Sequence, residues 1–189
     1  MIYKLVLSLA MILFVVNSHA ATVAVHKNEI SGLLTWVSDD DGFSIELIQL
    51  LPDFIRAIYA KHNFPTDEIE RAASYCMFGT ILKNTSDQLL SYRVKDWRYR
   101  ASDGVEHPVK TKTQWLAEWK KSGIIFSWTL LPDVGEFYEG DWQQGFTTIK
   151  LPRDASFDLI YKWELDGVAK SGVLEGIRCA PDSLPEIDK

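Results

Sequence analysis

Apolar positions along the first third of the chain follow two different periods. Residues 33–37 and 43–47 are apolar-rich runs on either side of Ser38-Asp39-Asp40-Asp41-Gly42, which predicts a hairpin with a polar turn. Beyond it, Leu51, Phe54, Ile55, Ile58, Tyr59 and His62 recur three and four residues apart, and Pro52 suits a first helical turn. Asn63-Phe64-Pro65 breaks this helix. Thr66 then stands where it would cap a second short helix, with Asp67 and Glu68 at the positive end. Ile69, Ala72, Ala73 and Cys76 share one face of that helix, which turns Cys76 inward.

From Met77 onward the texture changes to short strands between turns. Residues 78–82 lead into the turn cluster Lys83-Asn84-Thr85-Ser86-Asp87. Leu90, Tyr92 and Val94 alternate, and the apolar phase then shifts to Trp97 and Tyr99, the signature of a bulge near Lys95 or Asp96. Ser102-Asp103-Gly104 predicts a turn. A short helix over residues 113–121 carries Trp115 and Trp119 one turn apart on its buried face, and Gly123 ends it. Ile124, Phe126, Trp128 and Leu130 alternate, as do Phe157, Leu159, Tyr161 and Trp163, and both runs predict strands with their tryptophans in the core. Asp166-Gly167 predicts a tight hairpin that returns through Val173 and Ile177 to Cys179.

The fold class expected is α+β, mainly β. An antiparallel immunoglobulin-like β-sandwich would occupy about residues 76–179, preceded by the hairpin and helix pair and interrupted by one short helix. Residues 21–179 read as a single globular domain, and residues 180–189, polar with two prolines, as a disordered tail.

The N-terminus adds a location. Lys4 precedes a stretch over residues 5–16 in which only Ser8 is not apolar, too short to span a bilayer, and Ser18 and Ala20 suit the −3 and −1 positions of a cleavage site. Residues 1–20 therefore read as a secretory signal peptide, with the exported protein beginning at Ala21 in the periplasm or outside the cell. In an oxidising compartment the two cysteines, Cys76 and Cys179, read as one disulfide. Such a bridge closes a loop of about 100 residues and stabilises by roughly 4–5 kcal/mol in the loop-entropy model.

Charge narrows the partners. The chain carries 20 basic against 26 acidic residues, net −6, and loses Lys4 with the signal. The signs are interspersed, which argues against nucleic acid and against anionic membrane as the main partner. After the signal no apolar run reaches membrane-spanning length.

Catalytic chemistry is sparsely supplied. No nucleophile motif is present, and neither cysteine lies outside the expected disulfide. His107, beside Glu106 and before Pro108, is the one histidine in catalyst-like company, so a hydrolase around Glu106 and His107 is the least favoured of three readings. The histidines lack metal-ligand spacing, and Asp39-Asp40-Asp41 lacks the alternate spacing of a calcium loop; no metal and no cofactor is expected. Asn84-Thr85-Ser86 has the form of a glycosylation sequon and is equally well explained as turn chemistry.

Seven tryptophans are the informative excess. Trp142 sits in Glu139-Gly140-Asp141-Trp142-Gln143-Gln144-Gly145-Phe146, a polar connection with no period to obey. Asp141, Trp142 and Gln143 are thus the candidate ligand-binding residues, although burial of Trp142 as a plug at one end of the sandwich is the simpler expectation. The function expected is that of an exported, non-catalytic binding or accessory protein that engages a protein partner, with a carbohydrate-binding module as the alternative.

Overall fold

The computed structural model describes residues 22–184, so the signal segment lies outside the described residues. The chain forms β1 (Thr22–Lys27), β2 (Leu34–Asp40), β3 (Phe43–Gln49), α1 (Pro52–Lys61) and α2 (Thr66–Ala73). It continues through β4 (Cys76–Asn84), β5 (Leu90–Arg93), β6 (Arg98–Arg100), β7 (Glu106–Pro108) and α3 (Lys112–Lys121). Four strands complete it: β8 (Val134–Phe137), β9 (Trp142–Ile149), β10 (Ser156–Leu165) and β11 (Val168–Arg178).

Local chemistry sets most of these boundaries. Asp41 and Gly42 take φ of 45° and 85°, the left-handed pair that closes the β2–β3 hairpin, and Asp166 and Gly167 repeat it between β10 and β11. Pro52 opens α1. At α3 the Thr111 hydroxyl accepts from the Gln114 backbone while the Gln114 side chain accepts from Thr111, a reciprocal capping box. In α2, however, Pro65 occupies the capping position and Thr66 is the first helical residue, so the expected Thr66 cap is absent. The phase shift after Val94 is a single 3-10 turn, Val94–Asp96, between β5 and β6.

The strands build two antiparallel sheets. One has the order β1-β2-β3-β4-β9. In the other, β10 pairs with β11 along one edge and with β5 and β6, end to end, along the other, with β8 and β7 outside these. Phe43, Ile45, Phe78 and Leu82 of the first sheet share one buried cluster with Tyr92, Trp97, Tyr161 and Trp163 of the second. Phe43–Trp163 and Phe78–Phe157, with ring centroids 5.4 and 5.8 Å apart, cross between the sheets. The chain is therefore mainly β and sandwich-like. A disulfide joins Cys76, at the start of β4, to Cys179, just beyond β11, and ties one sheet to the other. Ala180 next to it is buried, and Arg153 faces Asp182 at 3.5 Å; residues 185–189 lie outside the described residues.

A second core lies on the outer face of the first sheet. Ile55, Tyr59, Ala72, Ala73, Trp115 and Trp119 from the three helices pack there with Met77 and Leu130. The indole of Trp115 donates to the Thr148 hydroxyl at 2.9 Å. Only one end of that face is covered, and the other is left open toward Ile81 and Gln144.

Two segments depart from the sequence expectation. Residues 124–130 are not a strand but a loop, and Trp128, expected in the core, is 86% exposed. The alternation there records partial burial of Ile124 and Phe126 and full burial of Leu130, but against the helices of the second core rather than in a sheet ladder. Conversely, residues 142–146 of the expected polar connection 139–146 belong to edge strand β9 (Trp142–Ile149). Its polar Thr147 and Thr148 are buried and bonded, Thr147 accepting from Thr80 at 2.7 Å.

Candidate docking surface

The turn from β8 into β9, which carries the chain from the second sheet to the first, separates the three residues singled out from the sequence. The Asp141 carboxylate accepts from the Tyr138 backbone at 2.9 Å, and Gly140 takes φ of 78°, so Asp141 shapes the turn. Gln143 accepts from the Tyr92 hydroxyl at 3.1 Å and stays partly buried. Burial, with the Asp133 charge nearby, pushes that phenol far up, so it stays a donor. Trp142, paired with Lys83 across the strands, points to the other face and is 61% exposed. The plug expected at Trp142 is thus corrected. The sandwich end is filled by Tyr92, Phe137 and Trp97, whose rings pack within 5.6 and 5.9 Å of Tyr92, and Trp142 is left outside.

Trp142 and Gln144 lie on the same side of β9. Gln144 pairs with Ile81 and, together with Ile48 and Thr129, lines a shallow hollow of about 270 Å³ that ends at Trp128. On its far side Trp128 borders a second hollow of about 540 Å³, lined by Leu116, Ile124, Ile125 and Phe126. Ile125 is fully exposed at the rim. The surface therefore runs from the uncovered sheet face over Trp128 to the end of α3. Sequence reasoning missed Ile125 and Trp128 because their neighbours alternate as a strand would.

Three contacts hold this surface in place. Ile124 donates its backbone N–H to Trp119 at 2.9 Å, and Phe146 donates to Thr129 at 2.7 Å, fixing both ends of the loop. Between them the Phe126 ring is inserted among His62, Phe64 and Tyr59, with centroids 4.5, 5.3 and 6.1 Å away. The Tyr59 hydroxyl meets Thr129 at 3.0 Å, and burial pushes this phenol up to about 12 despite that bond.

Glu106 and His107 lie elsewhere, on β7. Glu106 pairs with Arg100 at 2.7 Å. His107 stacks on Tyr99 and its Nε2 meets the Asp103 carboxylate at 2.7 Å, a bond that holds Asp103 below its ordinary range. His107 lines a cleft of about 350 Å³ that also reaches Glu118. Burial raises the Glu118 carboxyl, but the ammonium of Lys110 at 2.6 Å and the Arg71 guanidinium outweigh it and hold the group ionised. Among the described residues, no serine, threonine or cysteine lines this cleft.

At the acidic turn, Asp41 pairs with Lys170 at 2.5 Å and Asp39 accepts from Thr85 at 3.0 Å. Burial and the neighbouring Asp41 charge raise Asp40. Among the described residues no group of three His, Cys, Asp or Glu is placed to hold a metal ion. Asn84 of the sequon is fully buried and donates to the carbonyls of Gln88 and Phe137 at 2.7 and 3.0 Å, leaving no room for a glycan. No helix among the described residues is long and apolar enough to cross a membrane.

No protein-family model matches the chain, and no curated protein matches it either.

Proposed function

We propose that this chain is an exported, non-catalytic binding protein that engages a partner protein through the open face of its first sheet. The observation that carries the reading is Trp142 standing exposed on the same side of β9 as Gln144, which lines a shallow hollow that reaches Trp128. Tryptophan and tyrosine anchors around a partly apolar depression are what protein interfaces use as binding hot spots. The inter-sheet disulfide is compatible with an oxidising compartment and supports export. An immunoglobulin-like assignment of the sandwich belongs to the same reading. The chain crosses between sheets from β4 to β5 and again from β9 to β10, and the paired strands are neighbours in both sheets. Greek-key sandwiches share that arrangement.

Affinity capture from the native extract, with the wild-type protein beside Trp142→Ala and Gln144→Arg, tests this. A protein retained by the wild type and lost with both variants is the expected result. Equal retention by all three would remove this face as the docking site. One observation favours a second reading: the accessible indole of Trp142 lies beside the exposed amide of Gln144, a combination suited to stacking on a sugar ring. Retardation of the wild type, but not of Trp142→Ala, in polysaccharide-containing gels would favour it.

A further inference from the structure

We infer that the loop tip carrying Ile125 and Trp128 seats on an anionic lipid surface. The chain is net negative, yet residues 119–132 contain no aspartate or glutamate and include Lys120 and Lys121, both exposed. The carboxylates of Glu118 and Glu68 are engaged by other cations. Glu118 is held by Lys110 and Arg71, and Glu68 by Arg71 and the Ser122 hydroxyl. The tip is therefore a basic and apolar spot on an acidic body, which orients the protein tip-first toward a negatively charged plane.

The shape fits the same occupant. Ile125 is fully exposed and Trp128 nearly so, while Phe126 between them is partly buried against the helices. The loop thus projects two large apolar side chains on a backbone already fixed at both ends, so insertion orders nothing further. A projecting side chain needs a matching pocket on a protein but none in a bilayer interface, which deforms around it. Trp128 would sit at headgroup depth and Ile125 just below it, with the ammonium groups of Lys120 and Lys121 at the phosphates. This contact shares Trp128 with the hollow beside the Trp142 face, but Lys120 and Ile125 lie outside that hollow, and it holds whether or not that face binds a protein.

Co-sedimentation of the purified protein with phosphatidylglycerol-rich vesicles, beside pure phosphatidylcholine vesicles, tests the inference. The wild type should bind the anionic vesicles and lose binding as salt is raised. Ile125→Asp should weaken binding by at least about tenfold, because a carboxylate replaces the inserted side chain. Replacing Lys120 and Lys121 by glutamine should weaken it roughly twentyfold to thirtyfold, at about fivefold per lysine. Trp142→Ala should bind vesicles like the wild type, which keeps failure of this inference distinct from failure of the protein-docking reading. Quenching of tryptophan emission by brominated lipid should shrink in Trp128→Phe. An unchanged thermal midpoint for Ile125→Asp is the folding control, since the side chain it replaces is exposed. No vesicle binding by the wild type, equal binding to both lipids, or full binding by Ile125→Asp would overturn the inference. So would loss of a captured protein with Ile125→Asp in the absence of any vesicle binding, which would assign the tip to a protein partner.

Discussion

Gly145 in β9 faces the backbone of Leu131 so closely that a side-chain carbon added to the glycine would collide with Leu131 main-chain atoms. This approach lets Leu131 donate to the Phe146 carbonyl at 3.1 Å and places Leu130 beside Phe146 in a parallel bridge. The loop that presents Trp128 is therefore anchored where the strand lacks a side chain.

Gly145→Ala is expected to destabilise the protein by about 1–3 kcal/mol, the range for overpacking against an unyielding neighbour. Denaturant titration measures the loss. Because the displaced segment carries the loop, the variant should also lose vesicle binding. A Gly145→Ala protein as stable as the wild type would mean that the segment moves away without penalty.

The disulfide bears on global stability. It spans 103 residues and links the two sheets near one end. Replacing Cys76 and Cys179 together by alanine should cost about 2–5 kcal/mol, mainly by freeing the unfolded chain. Urea midpoints of the double variant and of the reduced wild type should agree. A double variant of unchanged stability would show that inter-sheet packing alone sets the stability.

What was legible in the sequence depended on whether periodicity and pairing coincided. The Asp-Gly turns at 41–42 and 166–167 announce their hairpins because both residues must take positive φ. The Trp115–Trp119 stripe was legible because both rings are buried on one helix face. Residues 124–130 were misleading: the apolar positions alternate, but burial breaks at Trp128 and the neighbours are helices and a glycine-bearing strand edge. Strand β9 was hidden for the opposite reason. Its buried Thr147 accepts from Thr80 and its buried Thr148 from the Trp115 indole, so a buried stretch reads as polar. Trp142 is exposed because its place on β9 puts it on the face that the helices leave open.

Tyr59 predicts an alkaline transition. Its phenol ionises near 10 when unfolded and near 12 when folded, because burial disfavours the anion. A raised folded value contributes stability that is complete below pH 10 and is lost as the pH rises toward 12. The phenolate absorbance titration of the wild type should contain a late step near 12, to which the buried Tyr161 also contributes, and Tyr59→Phe should reduce its amplitude. If the two titration curves superimpose, Tyr59 is not shielded and the Phe126 pocket is open to water.

Two tryptophans of equal size should behave oppositely on truncation. Trp119 is fully buried between Tyr59, Phe64, Trp115 and Phe126, with ring centroids 5.1–6.3 Å away. Its removal leaves a cavity in the second core, so Trp119→Ala should cost about 3–5 kcal/mol. Trp142 makes no comparable packing and should cost less than about 0.5 kcal/mol when replaced by alanine. Thermal and urea melts of the two variants decide the contrast. The comparison is also a control for binding, because a stability-neutral Trp142→Ala that loses its captured partner has lost a contact and not a fold. A loss above about 2 kcal/mol at Trp142, on the scale of core truncations, would instead show the ring folded back onto the sheet in solution.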